Sequence, residues 1–333
     1  MAAPFNYQIF NDVTDKETFL SNIRNVAQNN GWIIDKDDIS NNSELYLHSN
    51  GNGNQNLYFS MKVDYYYASD YIFIQGNTGF DTNSTWDNQP GKFTSPVLNG
   101  DSRATLPYLW FPIQKQYVIV NGQMVIVFCD MISASSVLNG RVIGHLGFGS
   151  IDNYDLSNTE GNLVIAHEIS YDYAYWTGTG GKSAGGYSSN ILGAKLFDAY
   201  NTASKDFGLL YLSENKFNTD LGITAYVYNA HNGSYGGADR TYYYGQKGYH
   251  YNYAIRFNDW ASRTSLIKPI VSIKDTTSTD VYFYPIGELP YYACKAYPYY
   301  KAGDIITQGT RKFMVFPILY YTNGDGVAIE VNV

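Results

Sequence analysis

A nearly continuous apolar stretch at residues 117–128 consists of two runs separated only by Asn121-Gly122. Asparagine and glycine both tolerate the positive φ that a two-residue type I′ turn needs, so the pattern predicts a β-hairpin. Folding at that turn places Val120 opposite Gln123. Both arms are apolar throughout rather than alternating, so we expect the hairpin to be buried on both faces at the centre of a β-sandwich.

A helical pattern precedes the strands. Apolar residues between Phe19 and Ala27 recur at the spacing of one helical face, and Thr14 or Asp15 can cap the first turn. Asn30-Gly31 ends the pattern with residues that accept the left-handed conformation common after helices. We therefore expect an N-terminal helix whose apolar stripe docks on the first sheet.

Strand patterns fill most of the remaining chain. The runs at 44–48 and 57–63 flank a turn rich in glycine and asparagine, so they predict another hairpin. Residues 76–106 are polar and turn-rich, and because loops of that length are usually functional, we expect a contact element there. From Ser262 onward, short apolar runs again predict strands.

Residues 166–261 differ in composition from the rest of the chain, because glycine is frequent there and tyrosine occurs in clusters such as 242–244. The spacing at 191–200 predicts a short helix within this region. The fold class that we predict is mainly β, an antiparallel, jelly-roll-like β-sandwich with an N-terminal helix and a second β-rich part. Its parts are the N-terminal helix and arm (1–40), the β-sandwich domain built on the 117–128 hairpin (41–165), a Tyr/Gly-rich insertion or subdomain (166–261) and C-terminal β strands (262–333).

The amino-acid composition also indicates what kind of surface the protein has. The 333-residue chain contains 34 Tyr, 17 Phe and 5 Trp, while only 16% of its residues are charged. Ordinary soluble domains carry roughly 25% charged residues. Tyrosine combines a large ring with a hydroxyl group, so it suits half-buried strands and wet interfaces. The composition favours a protein whose surfaces mostly make contacts, with an ordinary β protein with aromatic strands as the alternative.

Charge and cysteine usage exclude several classes of function. The formal net charge of −8 leaves no basic surface for nucleic acid. Cys129 and Cys294 have neither metal-ligand spacing nor the number of a disulfide framework. The N-terminus lacks a secretory pattern, and no apolar run is long enough to span a bilayer. We expect a soluble protein that binds no nucleic acid, inserts into no membrane and folds where it is made.

Three candidate motifs for chemistry each lack a required residue. The phosphate-binding-loop pattern at 178–183 needs a glycine where Trp176 stands. The zinc-protease pattern needs a second histidine where Tyr171 stands. The calcium-loop pattern at 81–87 has Trp86 in place of its turn glycine. We therefore expect no cofactor and no metal.

Carboxylates leave one catalytic alternative open. Two of them about 5–10 Å apart would suffice for glycoside hydrolysis. The available side chains are Asp130, Asp152, Asp155, Glu160, Glu168, Asp172, Asp239 and Glu288. The sequence alone brings no two of them together. Exposed Tyr and Trp beside Asn and Asp would equally form a sugar-binding face without catalysis.

Several short motifs together resemble a loosely defined group of tailed-bacteriophage virion proteins. The motifs are Asn30-Gly31-Trp32, Gly79-Phe80, Gln89-Pro90-Gly91, Leu109-Trp110, Val120-Asn121-Gly122, Leu146-Gly147-Phe148, Glu288-Leu289, Lys301-Ala302-Gly303-Asp304, Phe313-Met314-Val315-Phe316 and the closing run at 327–331. In such proteins the first and last parts are similar between members and the middle varies. The chain departs from the pattern at 150–155, where aromatic and proline residues are expected.

The resemblance implies a non-enzymatic structural subunit of the virion, assembled in the host cytoplasm. We expect a tail-associated position (baseplate, tail tip or neck) and a homo-oligomer whose partners are copies of itself and other virion proteins. The candidate residues for assembly or ligand contact are Trp86, Trp176, Tyr187, Tyr235, Tyr243 and Tyr249. The alternatives are a virion protein that binds a receptor or host surface glycan, and a glycan-degrading enzyme.

Overall fold

In the computed structural model the chain forms mainly antiparallel β-strands, which confirms the predicted class. The structure describes residues 3–51, 57–66, 69–90, 105–132, 141–150, 152–154, 162–167, 193–196, 208–211, 225–227, 266, 268, 270–275, 282–288, 290–295, 299–317 and 325–333. Within these ranges the α-helices are α1 (Lys16–Asn29) and α2 (Ile39–Asn42). A 3₁₀ turn lies at Trp86–Asn88.

The strands of the described ranges are β1 (Asn6–Val13), β2 (Ile33–Asp38), β3 (Glu44–Ser49), β4 (Leu57–Tyr66), β5 (Ser69–Asn77), β6 (Thr105–Leu109), β7 (Ile113–Val120), β8 (Met124–Ile132), β9 (Arg141–Ser150), β10 (Asp152–Asn153), β11 (Asn162–His167), β12 (Gly193–Leu196), β13 (Gly208–Tyr211), β14 (Ala225–Val227), β15 (Ile270–Asp275), β16 (Tyr282–Glu288), β17 (Tyr292–Lys295), β18 (Asp304–Gln308), β19 (Arg311–Pro317) and β20 (Asp325–Glu330). They form the central sheet (order β1-β7-β8-β9-β11-β12-β13), the front sheet (β2-β3-β4-β5-β6), the linking sheet (β10-β16-β15-β14) and the C-terminal sheet (β17-β20-β19-β18).

The apolar hairpin predicted at 117–128 is formed by β7 and β8, but its register differs from the prediction. Val120 pairs with Val125 and not with Gln123, so the predicted register is wrong by two residues. The Asn121 N–H donates to the Met124 carbonyl at 3.0 Å. The Asn121 side-chain oxygen accepts the N–H groups of Gln123 and Met124 at 2.9 and 2.8 Å. The asparagine closes the turn as an acceptor, which moves the turn centre one position later.

The hairpin is buried on both faces, as its apolar continuity predicts. One face contributes Val118, Val120, Val125 and Val127 to a core shared with the front sheet and α1. On the opposite face Phe128 stacks on Phe316 of β19, with ring centroids 3.7 Å apart. Tyr117 meets Phe316 edge-on at 5.1 Å. Because side chains alternate between faces along a strand, a layer covered on both sides needs apolar residues at every position.

The helix α1 docks on the central sheet. Asp15 caps it by accepting the Thr18 N–H at 2.7 Å. Its stripe of Phe19, Leu20, Ile23, Val26 and Ala27 is buried in the core shared with both sheets. The buried Gln116 side chain of β7 donates to the Phe19 carbonyl at 3.0 Å, which fixes the helix along this strand. None of the described helices is both long enough and apolar enough to cross a bilayer.

Trp32, which follows the helix, joins the layers. Its indole N–H donates to the Asn121 carbonyl at 2.8 Å. Its ring packs on Phe59 of the front sheet and Phe148 of the central sheet, with centroids 6.1 and 5.5 Å away. The chain ends also meet, since the Phe5 N–H donates to the Glu330 carbonyl at 2.9 Å. These contacts join the first and last parts of the sequence to the same β framework.

The described part of the 191–200 pattern, Gly193–Leu196, is not the short helix that the pattern predicts. Gly193–Leu196 is strand β12, which pairs with β11 on one side and β13 on the other. A periodicity that rests on three apolar residues is too short to distinguish a helix from a strand. Strand pairing on both sides decides the conformation here.

Asp38 gives the fold a dependence on acid. Its carboxylate accepts hydrogen bonds from Asn42 and Asn41 and pairs with Lys36 at 3.0 Å. The Asn42 bond, followed by Lys36 and Asn41, lowers the pKa of Asp38 from 3.8 to about 2. A lowered folded-state pKa adds stability above 3.8 that is lost as the pH falls toward 2. We expect Asp38→Asn to reduce the slope of the free energy of unfolding against pH between pH 3.8 and about 2, as measured by urea unfolding, and a variant that kept the wild-type slope would contradict this.

Candidate functional site

The described part of the 76–106 loop, residues 78–90, folds back on the outer face of the front sheet. Its ends are joined by the Thr78 N–H, which donates to the Pro90 carbonyl at 2.9 Å. Buried Gln89 accepts the Asp81 N–H at 3.0 Å and donates to the carbonyls of Asp81 and Ser84 at 3.1 and 3.0 Å. An amide side chain that satisfies three backbone groups holds this part of the loop in one conformation.

Trp86 is not on the surface of this loop. Its ring is 4% exposed and packs with Tyr46, Tyr71 and Phe73 of the front sheet. Its carbonyl accepts from the buried Gln75 side chain at 2.6 Å. The prediction of Trp86 as a contact residue is therefore corrected, because the ring holds the loop to the sheet and has no face free for a partner.

The other predicted contact residues lie outside the described residues. They are Trp176, Tyr187, Tyr235, Tyr243 and Tyr249, and they stay predictions.

The calcium-loop pattern at 81–87 is used for turns instead. Asp81 accepts the Asn83 N–H at 2.9 Å and the Ser84 hydroxyl at 2.8 Å. The Asn83 bond, followed by the Ser84 bond, lowers the pKa of Asp81. Across the part of the chain that the structure describes, no group of three or more His, Cys, Asp or Glu side chains is arranged to hold a metal ion.

Two of the carboxylates singled out in the sequence lie opposite each other. Asp152 of β10 pairs with Glu288 of β16, and the ammonium group of Lys268 bonds to both, 3.1 Å from Glu288 Oε2. The Tyr154 hydroxyl donates to Glu288 Oε1 at 3.1 Å. We call these four residues the root network, because two precede the Tyr/Gly-rich region (166–261) and two follow it.

The Lys268–Asp152 pair of the root network is largely shielded from water, whereas the Glu288 side chain is 31% exposed and Tyr154 is 51% exposed. The Lys268 and Asp152 side chains are 17% and 14% exposed. Desolvation lowers the pKa of Lys268, but its hydrogen bonds and charge interactions with Asp152 and Glu288 outweigh that effect, so the net shift is upward. Desolvation and then the charge of Glu288 raise the pKa of Tyr154. The lysine therefore stays charged and the tyrosine stays protonated at neutral pH.

This arrangement is suited to joining chain segments more than to acid–base catalysis. A glycosidase needs one carboxyl group that carries a proton and a second that faces the sugar. Here a single ammonium group bonds to both carboxylates, and Tyr154 donates to one of them. Sequence reasoning singled out Asp152 and Glu288 but missed Lys268, which ion-pairs with both carboxylates, and Tyr154, which donates a hydrogen bond to Glu288.

Of the remaining carboxylate candidates, the structure describes one. Asp130 is buried within β8; Asp155, Glu160, Glu168, Asp172 and Asp239 lie outside the described residues. His48 bonds through Nδ1 to Asp35 at 2.7 Å and stacks on Tyr58, with centroids 4.7 Å apart. Asp35 lies at an irregularity between Ile34 and Lys36 in β2, which turns its side chain toward the histidine.

No protein-family model and no curated protein matches the chain. The resemblance to phage virion proteins therefore stays a prediction.

Proposed function

We propose that the protein is a structural subunit of a tailed-bacteriophage virion that acts through protein–protein contacts. The observation that carries this proposal is the hairpin of β7 and β8, covered on one face by the front sheet and on the other by the C-terminal sheet. Such a framework has the rigidity that an assembly subunit needs. The described strands β12, β13 and β14 of the Tyr/Gly-rich region extend the central and linking sheets, and the root network lies beside the entry and exit of this region.

The residues that carry the phage resemblance support this reading, because those that the structure describes build the framework. Trp32, Phe148 and Phe316 are buried core residues. Gly303 has φ +86°, and a Cβ there would lie 2.7 Å from the ring of Tyr117. The Tyr117 hydroxyl donates to the neighbouring Ala302 carbonyl at 3.1 Å. Motifs of this kind specify a structural framework. A protein group whose first and last parts are similar and whose middle varies requires such a framework.

For the architecture, we infer that the front and central sheets form the two layers of a β-sandwich and that the C-terminal sheet adds a third. Leu47 and Phe59 of the front sheet share one core with Val118 and Val127 of the central sheet. The strands of the front sheet follow each other in chain order, which is a meander. A jelly roll is built from Greek keys, so we keep the sandwich and replace the jelly-roll comparison.

In this proposal the subunit is tail-associated, at the baseplate, tail tip or neck, and its partners are copies of itself and other virion proteins. Aromatic residues, tyrosine above all, are enriched where protein interfaces are buried. The contacts are assigned to Trp176, Tyr187, Tyr235, Tyr243 and Tyr249. The chemistry of the described residues requires no cofactor for this role.

Mass spectrometry of purified particles tests the proposed location. The particles are those of the phage whose genome encodes this chain, and labelled peptides of the chain serve as internal standards. We expect a fixed number of copies per particle that survives a high-salt wash. Peptides that are found in the infected-cell lysate and are absent from washed particles would contradict a structural role.

One observation favours a second candidate function, a glycan-degrading enzyme, because Asp152 and Glu288 are cross-strand neighbours. Reducing-sugar release from host polysaccharides distinguishes the two functions. The structural proposal predicts no release above a buffer blank. Release by the wild-type chain that disappears in both Asp152→Asn and Glu288→Gln would support the enzyme instead.

A further inference from the structure

We infer that the root network is an ionic latch that fixes the two ends of the Tyr/Gly-rich region to each other. Lys268 and Asp152 are 116 positions apart in the chain, yet their side chains form a direct ion pair. The chain therefore passes through one point before and after the whole region. The latch is a property of the chain alone; its use in orienting contacts rests on the proposed function.

The direct backbone pairing between the two ends, β10 with β16, is short, although β11 and β15 are also paired with neighbouring strands. The strand β10 is two residues long, and its pairing with β16 joins Asp152 to Glu288 and Asn153 to Gly287. Strands in globular proteins usually have about five or six residues, and isolated short ladders are marginal. The side chains at the same place supply the additional bonds.

The burial of the Lys268–Asp152 pair makes both of its members necessary to the latch. Removing one partner of a shielded ion pair leaves an uncompensated charge with its desolvation cost, whereas exposed pairs are lost with little effect. Lys268 is the only member that bonds to both carboxylates among the described residues of the network. Its removal leaves Asp152 and Glu288 facing each other as like charges.

The latch is also connected to the central hairpin. Ser150, two residues before Asp152, donates its N–H to the Gln123 carbonyl at 3.0 Å. Gln123 lies in the turn between β7 and β8. The entry of the region is thus held against the framework on one side, and Lys268 extends that attachment to the exit.

Hydrogen–deuterium exchange on the full chain tests the latch, with Lys268→Met compared with wild type. We expect amide exchange at 152–154 and 286–288 to accelerate at least about tenfold, which corresponds to local opening made easier at the root. Exchange at 117–128 stays unchanged. The exposed Lys115→Met is the matched control and leaves the root at the wild-type rate. Lys268→Arg retains a cation and gives an intermediate rate.

Three results would overturn the latch. The first is wild-type exchange at the root in Lys268→Met. The second is acceleration that is equal at the root and in the central hairpin, and the third is a variant that does not fold, since either of these makes Lys268 a determinant of global stability. Light-scattering mass measured on the same samples tests the proposed function separately. A wild-type oligomer whose root exchange is unchanged in Lys268→Met would contradict the latch alone. A wild-type single chain whose root exchange accelerates in Lys268→Met would contradict assembly alone.

Discussion

Replacing Phe316 by alanine lowers the free energy of unfolding by about 3–5 kcal/mol, the range for a fully buried phenylalanine. The ring is 1% exposed and lies between the C-terminal sheet and the outer face of the hairpin. It stacks on Phe128 at 3.7 Å and meets Tyr117 at 5.1 Å, so its loss opens a cavity against two aromatic rings. Urea unfolding followed by tryptophan fluorescence measures the change.

Tyr299→Ala is the control for Phe316→Ala, because Tyr299 is an aromatic residue beside the same sheet that is 58% exposed. We expect this variant to change the free energy of unfolding by less than about 0.5 kcal/mol. If both variants lost the same small amount, the C-terminal sheet would not cover the hairpin in solution. The three-layer arrangement would then be wrong.

If the chain forms the homo-oligomer that we propose, serine at Tyr235, Tyr243 and Tyr249 together is expected to convert it to single chains. Aromatic residues at the centre of an interface commonly contribute at least about 2 kcal/mol each, so losing three weakens association by several powers of ten. The framework does not depend on these positions in our account, so the urea midpoint stays at the wild-type value. Light-scattering mass at equal protein concentration measures the effect.

The matched control for the triple variant replaces Tyr65 and Tyr299, which are 67% and 58% exposed on the framework. Serine at both positions is expected to leave the mass of the oligomer unchanged. A triple variant that kept the wild-type mass would remove the Tyr/Gly-rich region from the interface. A control that also dissociated would place the interface on the framework.

The central hairpin could be predicted from the sequence because a strand covered on both faces must be apolar at every position. The register of the hairpin could not be predicted from the sequence. The Asn121-Gly122 pair has the composition of a type I′ turn, but the Asn121 side chain accepts two backbone N–H groups and moves the turn by one position. The hydrogen bonds of an asparagine side chain compete with the preference of an Asn-Gly pair for positive φ, and the composition of the turn does not reveal which of the two determines the register.

Strand β1 was missed for the opposite reason. Among the described strands it lies at the edge of the central sheet and pairs with β7, and most of its side chains are exposed and carry no apolar pattern. Trp86 was misjudged because a single tryptophan in a polar stretch is consistent with an exposed contact residue and also with a buried residue that packs the loop on the sheet. Only its packing on Phe73 and Tyr46 distinguishes the two.

The root network lay beyond sequence reasoning because its charges are separated by more than a hundred positions. Asp152 and Glu288 could be named as carboxylates, but their pairing depends on the short ladder between β10 and β16. Lys268 carried no signal, since an isolated lysine in a sequence is usually a solvated surface residue.

The light-scattering mass of the purified full chain, with negative-stain images of the main peak, tests most directly whether the protein is an assembly subunit. We expect a single species whose mass is a whole multiple, two or more, of the 37.5 kDa chain mass, seen as closed rings, since symmetric oligomers close on themselves. A mass of 37.5 kDa at every concentration tested would contradict the claim that copies of this chain assemble through their own surfaces.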